Sequence, residues 1–272
     1  MASSTPLVCN GKEPYCRENV EEILDLNFIQ TEERWEPRYL EGTEEVEKNI
    51  EEYRNNVVEQ DPTKHDGKLP FIKHIERYSG HMDVYLGETT FSEYMHAVQS
   101  PTVVGRTVTS DNKLLMGVRG EDVSSEHGKI AFPGGFIDMY EEPLEAVKRE
   151  VEEEISPEID IESTELLGFV YPDVNQTDGS LVDDPQPPVF MYDVFIDRDM
   201  QEVRQAYTGD EFEELEFIEP AEPVESGKFS PNSRRTLKAG RCGIATQPQE
   251  PLEASRNGLR SGLKAVGNYL VP

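Results

Sequence analysis

The sequence has 272 residues, of which 55 are acidic and 26 are basic, so its formal net charge at pH 7 is −29. This length suits one large domain with extensions, or two small domains. Because so negative a surface repels nucleic-acid phosphates, and because we find no basic patch of any size, long DNA or RNA is excluded as a partner.

The cysteines and the hydropathy indicate the expected compartment. Cys9, Cys16 and Cys242 are odd in number, fit no zinc-binding pattern and predict reduced thiols. No run approaches 18 apolar residues, and no basic segment with an apolar core opens the chain. We therefore expect a cytoplasmic protein without a membrane segment. The evenly spread acidity is typical either of a high-salt cytoplasm or of a generally acidic mesophilic protein.

Changes in composition and the positions of turn-forming residues divide the chain into three parts. We predict an N-terminal region over residues 1–97, a central domain over residues 98–222 and a C-terminal extension over residues 223–272. The extension is predicted to be helical, because Ser230 and Pro231 can begin one helix and the segment from Pro251 to Tyr269 carries spaced apolar residues.

The N-terminal region is predicted to mix helices and strands. Apolar spacing favours a short amphipathic helix from Val20 to Phe28 and a glutamate-rich helix from Val46 to Val57. His74 to Leu86 predicts one or two strands, Thr90 to Val98 a short helix, and Asp61 to Gly67 a loop. Because apolar residues are sparse, we expect the region to pack on the central domain or on a partner subunit.

The central domain begins with a predicted hairpin. Thr102 to Thr109 and Leu114 to Val118 are strand-like, and Ser110 to Asn112 forms the turn between them. The long polar loop between Tyr171 and Pro188 either covers a substrate or is a surface insertion. Later predicted strands are Ile159 to Ile161, Glu165 to Tyr171, Pro188 to Ile196 and Glu214 to Ile218.

The segment from Gly134 to Glu154 carries the strongest signal in the chain. Two glycines lead into a helix, in which Pro143 suits the first turn. Glu145 and Arg149 are spaced for an i, i+4 ion pair, and Ser156-Pro157 ends the helix. The predicted buried stripe comprises Leu144, Val147, Val151 and Ile155.

Three carboxylates on this helix predict a metal site. Glu150, Glu153 and Glu154 stand at i, i+3 and i+4, so they share one face and repel one another. A divalent cation reverses the sign of that energy, and Mg²⁺ prefers hard oxygen ligands. The pattern therefore favours phosphate chemistry over an acidic, solvated helix.

The spacing resembles the Nudix box, G-x5-E-x7-R-E-U-x-E-E-x-G-U, where U is a bulky aliphatic residue. The preceding GKIAFPGGF, from Gly128 to Phe136, is also typical of that family. Ser156 and Pro157 depart from the usual glycine and aliphatic residue, but both follow the metal-binding glutamates. The positions that match are Gly135, Glu141, Arg149, Glu150, Val151, Glu153 and Glu154.

The resemblance implies an α/β/α sandwich with a mixed sheet, to which N-terminal and C-terminal extensions are added. It also implies an enzyme that uses Mg²⁺, or Mn²⁺, to hydrolyse a nucleoside diphosphate linked to another group. Glu150, Glu153 and Glu154 would bind the metal together with a carbonyl of Gly134 or Gly135. Arg149 would orient the carboxylates, and Glu141 would brace the loop.

The resemblance leaves the general base open: it is Glu153 or Glu154, or else Glu211 or Glu214 from a later acidic segment. For the substrate we favour ADP-ribose or a nucleotide sugar, since Pro172 lies fifteen residues past Pro157, close to a spacing that is common in ADP-ribose-cleaving members. Residues that could bind the substrate are Arg106 and Arg119, as phosphate ligands or surface ion pairs, and Tyr171, Phe190 or Tyr192, as base-stacking or core aromatics.

Several alternatives remain at this point. The chief one is a Nudix module that binds a nucleotide without cleaving it, although such modules usually lack one or more of the glutamates. An isopentenyl diphosphate isomerase is disfavoured because no cysteine lies between Cys16 and Cys242, and mRNA decapping because no basic groove is present. The extensions suggest a homodimer, since many relatives pair.

Overall fold

The computed structural model describes residues 7–10, 21–22, 25–35, 43–58, 66–78, 81–96, 98, 100–121, 126–171, 188–209, 211–220, 228–234 and 236–237. The polar loop at 172–187, the loop residues 59–65 and the predicted helix at 251–269 lie outside these ranges.

The described strands number eleven and form two sheets. Their bounds are β1 Leu7–Asn10, β2 Glu21–Glu22, β3 Asp25–Arg34, β4 Lys68–Tyr78, β5 His81–Thr90, β6 Thr102–Val108, β7 Leu114–Arg119, β8 Ile130–Ala131, β9 Ile161–Tyr171, β10 Val189–Ile196 and β11 Phe212–Ile218.

The larger sheet is mixed. Its order is β11-β7-β6-β10-β9-β1-β2, and β8 pairs with β7. β10 runs parallel to β6 and antiparallel to β9. The predicted hairpin is confirmed as β6 and β7. The strands predicted at 159–161 and 165–171 are one strand, β9, because β10 pairs along almost its whole length.

The smaller sheet has the order β3-β5-β4. The helix predicted from Val20 to Phe28 is wrong, since β2 and β3 occupy the described part of this segment. The physical reason is long-range pairing: β3 runs parallel to β5, and the ladder satisfies its backbone groups. Phe28 then packs edge-on against Phe190, with 5.0 Å between ring centroids.

The described helices are α1 Thr43–Tyr53, α2 Phe91–His96, α3 Pro143–Glu154 and α4 Met200–Ala206, and a π-helical turn, Arg54–Val58, continues α1. α1 and α2 confirm the predicted helices. α4 was not predicted, although its capping box was visible in the sequence. Asp199 accepts hydrogen bonds from the Gln201 and Glu202 N–H groups, and the Glu202 carboxylate accepts one from the Asp199 N–H.

Apolar side chains cover both faces of the larger sheet. On one face, α3, α4 and the smaller sheet share a single core that includes Val147, Val203 and Val84. The described strands of the N-terminal region therefore share a core with the central domain. On the other face, Phe229 and Leu237 close a second core. These layers agree with the predicted α/β/α sandwich. Within the described ranges, every helix is too short or too polar to traverse a bilayer.

Candidate active site

The helix α3 places two of its glutamates on its buried face. Glu150 and Glu154 stand one turn apart and are only 8% and 4% exposed. The side chain of Glu153 is 61% exposed, so it lies at the rim. Leu144 was predicted to be buried but is exposed, because the inward face runs through Ala146 rather than through position 144. The remaining buried residues of α3 are Pro143, Val147 and Val151.

Gly134 and Gly135, which precede α3, are in contact with the carboxylates on this buried face. The Gly134 N–H donates to Glu154 Oε1 at 3.3 Å. A Cβ atom at position 134 would collide with the Val103 carbonyl, and one at position 135 would lie 2.6 Å from Glu150 Oε1. Glycine is therefore required at position 134, where the clash is with backbone, while a side chain at position 135 would displace the Glu150 carboxylate.

Arg149 organises the rim of the site. Its Nε and Nη2 donate to the two Glu141 oxygens at 2.9 and 3.0 Å, and its Nη1 donates to Glu150 and Glu153 at 2.9 and 3.0 Å. The predicted pair with Glu145 is wrong, because the carboxylates of Glu141, Glu150 and Glu153 already occupy the guanidinium. Glu145 pairs instead with Lys148 at 3.0 Å.

Glu141 braces the loop. One of its oxygens also accepts the Asp138 N–H at 2.9 Å, and Arg149 Nη2 donates to the Phe136 carbonyl at 2.9 Å. Burial alone would raise the pKa of Glu141, but the hydrogen bonds from Arg149 and from the Asp138 amide lower it below its ordinary value. Glu141 is therefore suited to carrying a fixed charge, as expected of a structural partner.

The buried pair is electrostatically costly. Burial raises the pKa of Glu150 to about 7, in spite of the nearby Arg149. Burial, then Glu211 and then Glu150 raise the pKa of Glu154 well above its ordinary value, although the Gly134 N–H and Arg119 act in the opposite direction. Glu154 Oε2 is buried and has no hydrogen-bond partner within the described structure. An orphaned carboxylate oxygen of this kind needs a cation or a proton.

The donor set fits a divalent metal. As the described side chains stand, no three from His, Cys, Asp and Glu converge closely enough to hold an ion by themselves. Mg²⁺, however, usually takes one or two protein carboxylates and completes its shell with water and substrate phosphate. Glu150 and Glu154 meet that requirement. Of the two predicted carbonyl ligands, that of Gly135 accepts the Val103 N–H at 2.9 Å, so Gly134 is the better candidate.

The loop after α4 brings Glu211 to this pair. The Tyr207 hydroxyl donates to the Phe212 carbonyl at 2.6 Å, and the Thr208 N–H donates to the Ile155 carbonyl at 3.0 Å. Gly209 lies against the Glu154 carbonyl, where a Cβ atom would collide. These contacts were not predicted, although a glycine directly before an acidic run was a visible signal.

The two acidic candidates of this later segment differ in position. Glu211 precedes β11 and raises the pKa of both buried glutamates. Glu214 is an exposed residue of β11, paired with Val118 in the ladder. The geometry thus favours Glu211 over Glu214 as a participant in the site.

The predicted substrate ligands separate in the structure. Arg119, at the end of β7, lies close enough to lower the pKa of Glu154, so it adjoins the site. Tyr171 pairs with Asn10 at the end of β9, and its side chain lies outside the described structure. Phe190 and Tyr192 belong to the core.

The prediction that Arg106 binds substrate is wrong. Its side chain is 2% exposed and donates from Nε and Nη2 to the two oxygens of Asp193 at 2.5 and 2.6 Å. The cause is strand alternation. Gly105 faces α3, so Arg106 points to the opposite side of the sheet, where the parallel register places Asp193 beside it.

The raised pKa of Glu150 predicts an unusual pH dependence of stability. A carboxyl that titrates near 7 when folded and near 4.5 when unfolded binds its proton more tightly in the folded state. The metal-free protein should therefore lose stability as the pH rises from about 5 to 8, by up to about 3 kcal/mol from Glu150. Urea unfolding in EDTA at several pH values measures this slope.

The matched variant for this experiment is Glu150→Gln, which should remove the Glu150 share of the slope because the amide does not titrate, and leave only the share of Glu154. Added Mg²⁺ should restore the stability of the original protein at pH 8, since a ligand that binds only the folded state stabilises it. A free energy of unfolding that stays level or rises between pH 5 and 8 in EDTA contradicts the assignment of a strained buried pair.

Comparisons with known proteins add to this geometry. The family model of the NUDIX domain matches residues 99–239. No curated protein matches the chain. The chain is similar to the MutT protein from Methanosarcina mazei Go1, with 18% identity, a TM-score of 0.40, and coverage of 53% of this chain and 94% of that one.

Two further solved structures are similar. The Nudix hydrolase RenU from M. smegmatis has 17% identity and a TM-score of 0.39, with coverage of 56% of this chain and 88% of that one. The NUDIX domain of Shewanella oneidensis NrtR, crystallised with ADP ribose, has 17% identity and a TM-score of 0.39, with coverage of 57% of this chain and 99% of that one.

Proposed function

The chain belongs to the NUDIX domain family, a family of pyrophosphohydrolases, and from this premise we propose that it uses Mg²⁺ to cleave the diphosphate linkage of a nucleoside diphosphate derivative. ADP-ribose or a nucleotide sugar is the favoured substrate. Mn²⁺ is the alternative metal, since it accepts the same oxygen ligands.

The observation that carries this proposal is the buried carboxylate of Glu154. One of its oxygens is bound by the Gly134 N–H, and the other is orphaned beside Glu150 and Glu211. A protein that only needed a stable helix would gain by replacing this charge with an apolar side chain. Retaining it is consistent with a cation that is bound during function.

Each residue of the site has its own role in the proposed reaction. Glu150 and Glu154 would hold the cation, and Arg149 keeps Glu153 and Glu150 in place from the rim. When bound, the cation offsets the charge of the diphosphate and acidifies water. Glu211 would accept the proton of the attacking water as the new P–O bond forms, while the phosphoanhydride P–O bond breaks and the bridging oxygen leaves with its electron pair on the second phosphate. Glu153 is less suited to this task because Arg149 already engages it.

Arg119 contributes the positive charge that an anionic substrate needs. Its positive charge lowers the pKa of Glu154, so a phosphate group bound beside Glu154 would lie near Arg119. Arg106 does not share this role, since its guanidinium is buried against Asp193 on the opposite side of the sheet.

A panel of nucleotides tests the function. The purified protein is incubated with ADP-ribose, nucleotide sugars and nucleoside triphosphates in Mg²⁺, and mononucleotide release is measured. We expect hydrolysis of ADP-ribose or a nucleotide sugar to give two phosphate-containing products, and EDTA to abolish it. Tight nucleotide binding with no product in either metal would support the rival reading, a nucleotide-binding module without catalysis.

A further inference from the structure

The C-terminal segment, residues 228–234 and 236–237, is joined to the strand that leads into the glycine loop. Phe229 forms a parallel bridge with Ile130 of β8. The Ile130 N–H donates to the Lys228 carbonyl at 2.9 Å, and the Ser230 N–H donates to the Ile130 carbonyl at 2.9 Å. The segment therefore extends the sheet next to the site, although it lies far from the site in sequence.

Beyond this bridge, Ser233 reaches the loop itself. Its Oγ accepts the Phe132 N–H at 2.8 Å and also accepts the Ser230 hydroxyl, at 2.9 Å between the oxygens. Ser233 and Phe132 are both buried, so water cannot replace the serine as acceptor. A buried amide that loses its acceptor is left with its full desolvation penalty, which favours movement of the backbone around it.

The loop that follows Phe132 is tied on its other side to β6 and α3. The Pro133 carbonyl accepts the Gly105 N–H at 2.9 Å, and the Gly135 carbonyl accepts the Val103 N–H at 2.9 Å. Between these two anchors, the Gly134 N–H donates to Glu154. The bond to Ser233 thus lies two residues before the amide that holds the key carboxylate.

We propose that Ser233 is a positioning residue of the active site. Its hydroxyl anchors the amide of Phe132, and through it the glycine loop that supports Glu154 and offers the Gly134 carbonyl. This inference rests on the proposed function for its link to catalysis. Because Ser233 is buried, we do not assign it a direct contact with substrate or metal. It acts through the loop, and the packing of Phe229 and Leu237 in the second core holds it there.

The experiment compares two hydroxyl deletions in the full-length protein. Ser233→Ala removes the acceptor of the Phe132 amide. The control is Thr236→Val, which removes a buried hydroxyl from the same segment, but one that among the described residues donates to the Asn232 carbonyl, at 3.0 Å, and not to the glycine loop. Amide hydrogen exchange at Phe132 and Gly134 is followed by NMR in the metal-free protein, and Mn²⁺ affinity is measured by titration.

We expect Ser233→Ala to speed amide exchange at Phe132 and Gly134 at least tenfold and to weaken Mn²⁺ binding about tenfold, the usual effect of losing a residue that supports metal ligands. Its kcat should fall with little change in KM. Thr236→Val should leave exchange at Gly134 and Mn²⁺ affinity unchanged, even if its melting temperature falls as far.

Two outcomes overturn the inference: exchange at Gly134 that stays within twofold in Ser233→Ala, or an equal acceleration in Thr236→Val. If Ser233→Ala does not fold, Ser230→Ala, which removes the hydroxyl that donates to Ser233, is judged on the same exchange rates. A wild-type protein that hydrolyses no nucleotide contradicts the proposed function, and exchange at Gly134 then decides the role of Ser233 alone.

Discussion

Replacing Glu154 by glutamine should lower kcat by about two to four orders of magnitude while making the metal-free protein more stable at pH 8. The loss follows from removing the buried carboxylate that is assigned to the cation. The gain follows because the amide carries no charge, so its burial beside Glu150 and Glu211 no longer opposes folding. Steady-state kinetics in Mg²⁺ and thermal unfolding in EDTA measure the two effects.

The matched control is Glu152→Gln, the same chemical change at an exposed position of the same helix. It should leave both kcat and the melting temperature in EDTA close to the original values. If Glu154→Gln retains full turnover, the site assignment is wrong. If it loses turnover and also loses stability in EDTA, the carboxylate is a structural element rather than a strained ligand.

Breaking the buried ion pair between Arg106 and Asp193 should produce the largest loss of stability. Arg106→Met leaves the Asp193 charge without a partner in the second core, and such a change costs about 3–5 kcal/mol. This is a large share of the total free energy of unfolding of an ordinary protein, which is about 5–15 kcal/mol. Urea unfolding of the purified variant measures the loss.

A double variant separates the pair from any role in binding. Arg106→Met with Asp193→Leu replaces both charges by apolar side chains of similar volume, so most of the lost stability should return. Its KM for the best nucleotide should equal that of the original protein, because the pair lies away from the substrate. A KM raised tenfold in this stable double variant would restore Arg106 as a phosphate ligand.

The described structure contains two pairs of buried charged side chains, and the cost of desolvating the charges is offset differently in each pair. Arg106 and Asp193 neutralise each other through two short hydrogen bonds, so the sheet is stable without any ligand. Glu150 and Glu154 are like charges, and the guanidinium of Arg149 reaches Glu150 but not the orphaned oxygen of Glu154. The second arrangement leaves buried negative charge without a partner in the described structure, which is why the two variants should change stability in opposite directions.

Much of the site could be predicted because it lies in one short stretch of chain. The spacing from Gly135 to Glu154 identified the family, and the family match at residues 99–239 confirms it. The face shared by Glu150 and Glu154 follows from helix geometry alone. The roles of the individual glutamates remain predictions, because burial and neighbours separate them more than spacing does.

The errors share one physical cause, which is that contacts between distant segments override local pattern. A helical spacing of apolar residues near Phe28 gave way to strand pairing with β5. Arg149 does not pair with Glu145, four residues before it, because the loop brings Glu141 within hydrogen-bonding distance of the guanidinium. Arg106 had no local signal for its direction, since only the assembled sheet gives it a face and a partner.

The amino-acid sequence by itself determined the family, the glutamate-bearing helix and the hairpin before it, because each depends on residues only a few positions apart. Only the tertiary structure decided which carboxylates are desolvated and that Glu211 lies near them. It also decided that Ser233, distant in sequence, accepts a hydrogen bond from the Phe132 amide beside the glycine loop. Desolvation and hydrogen-bond partners arise when the segments pack together, so no local pattern can specify them.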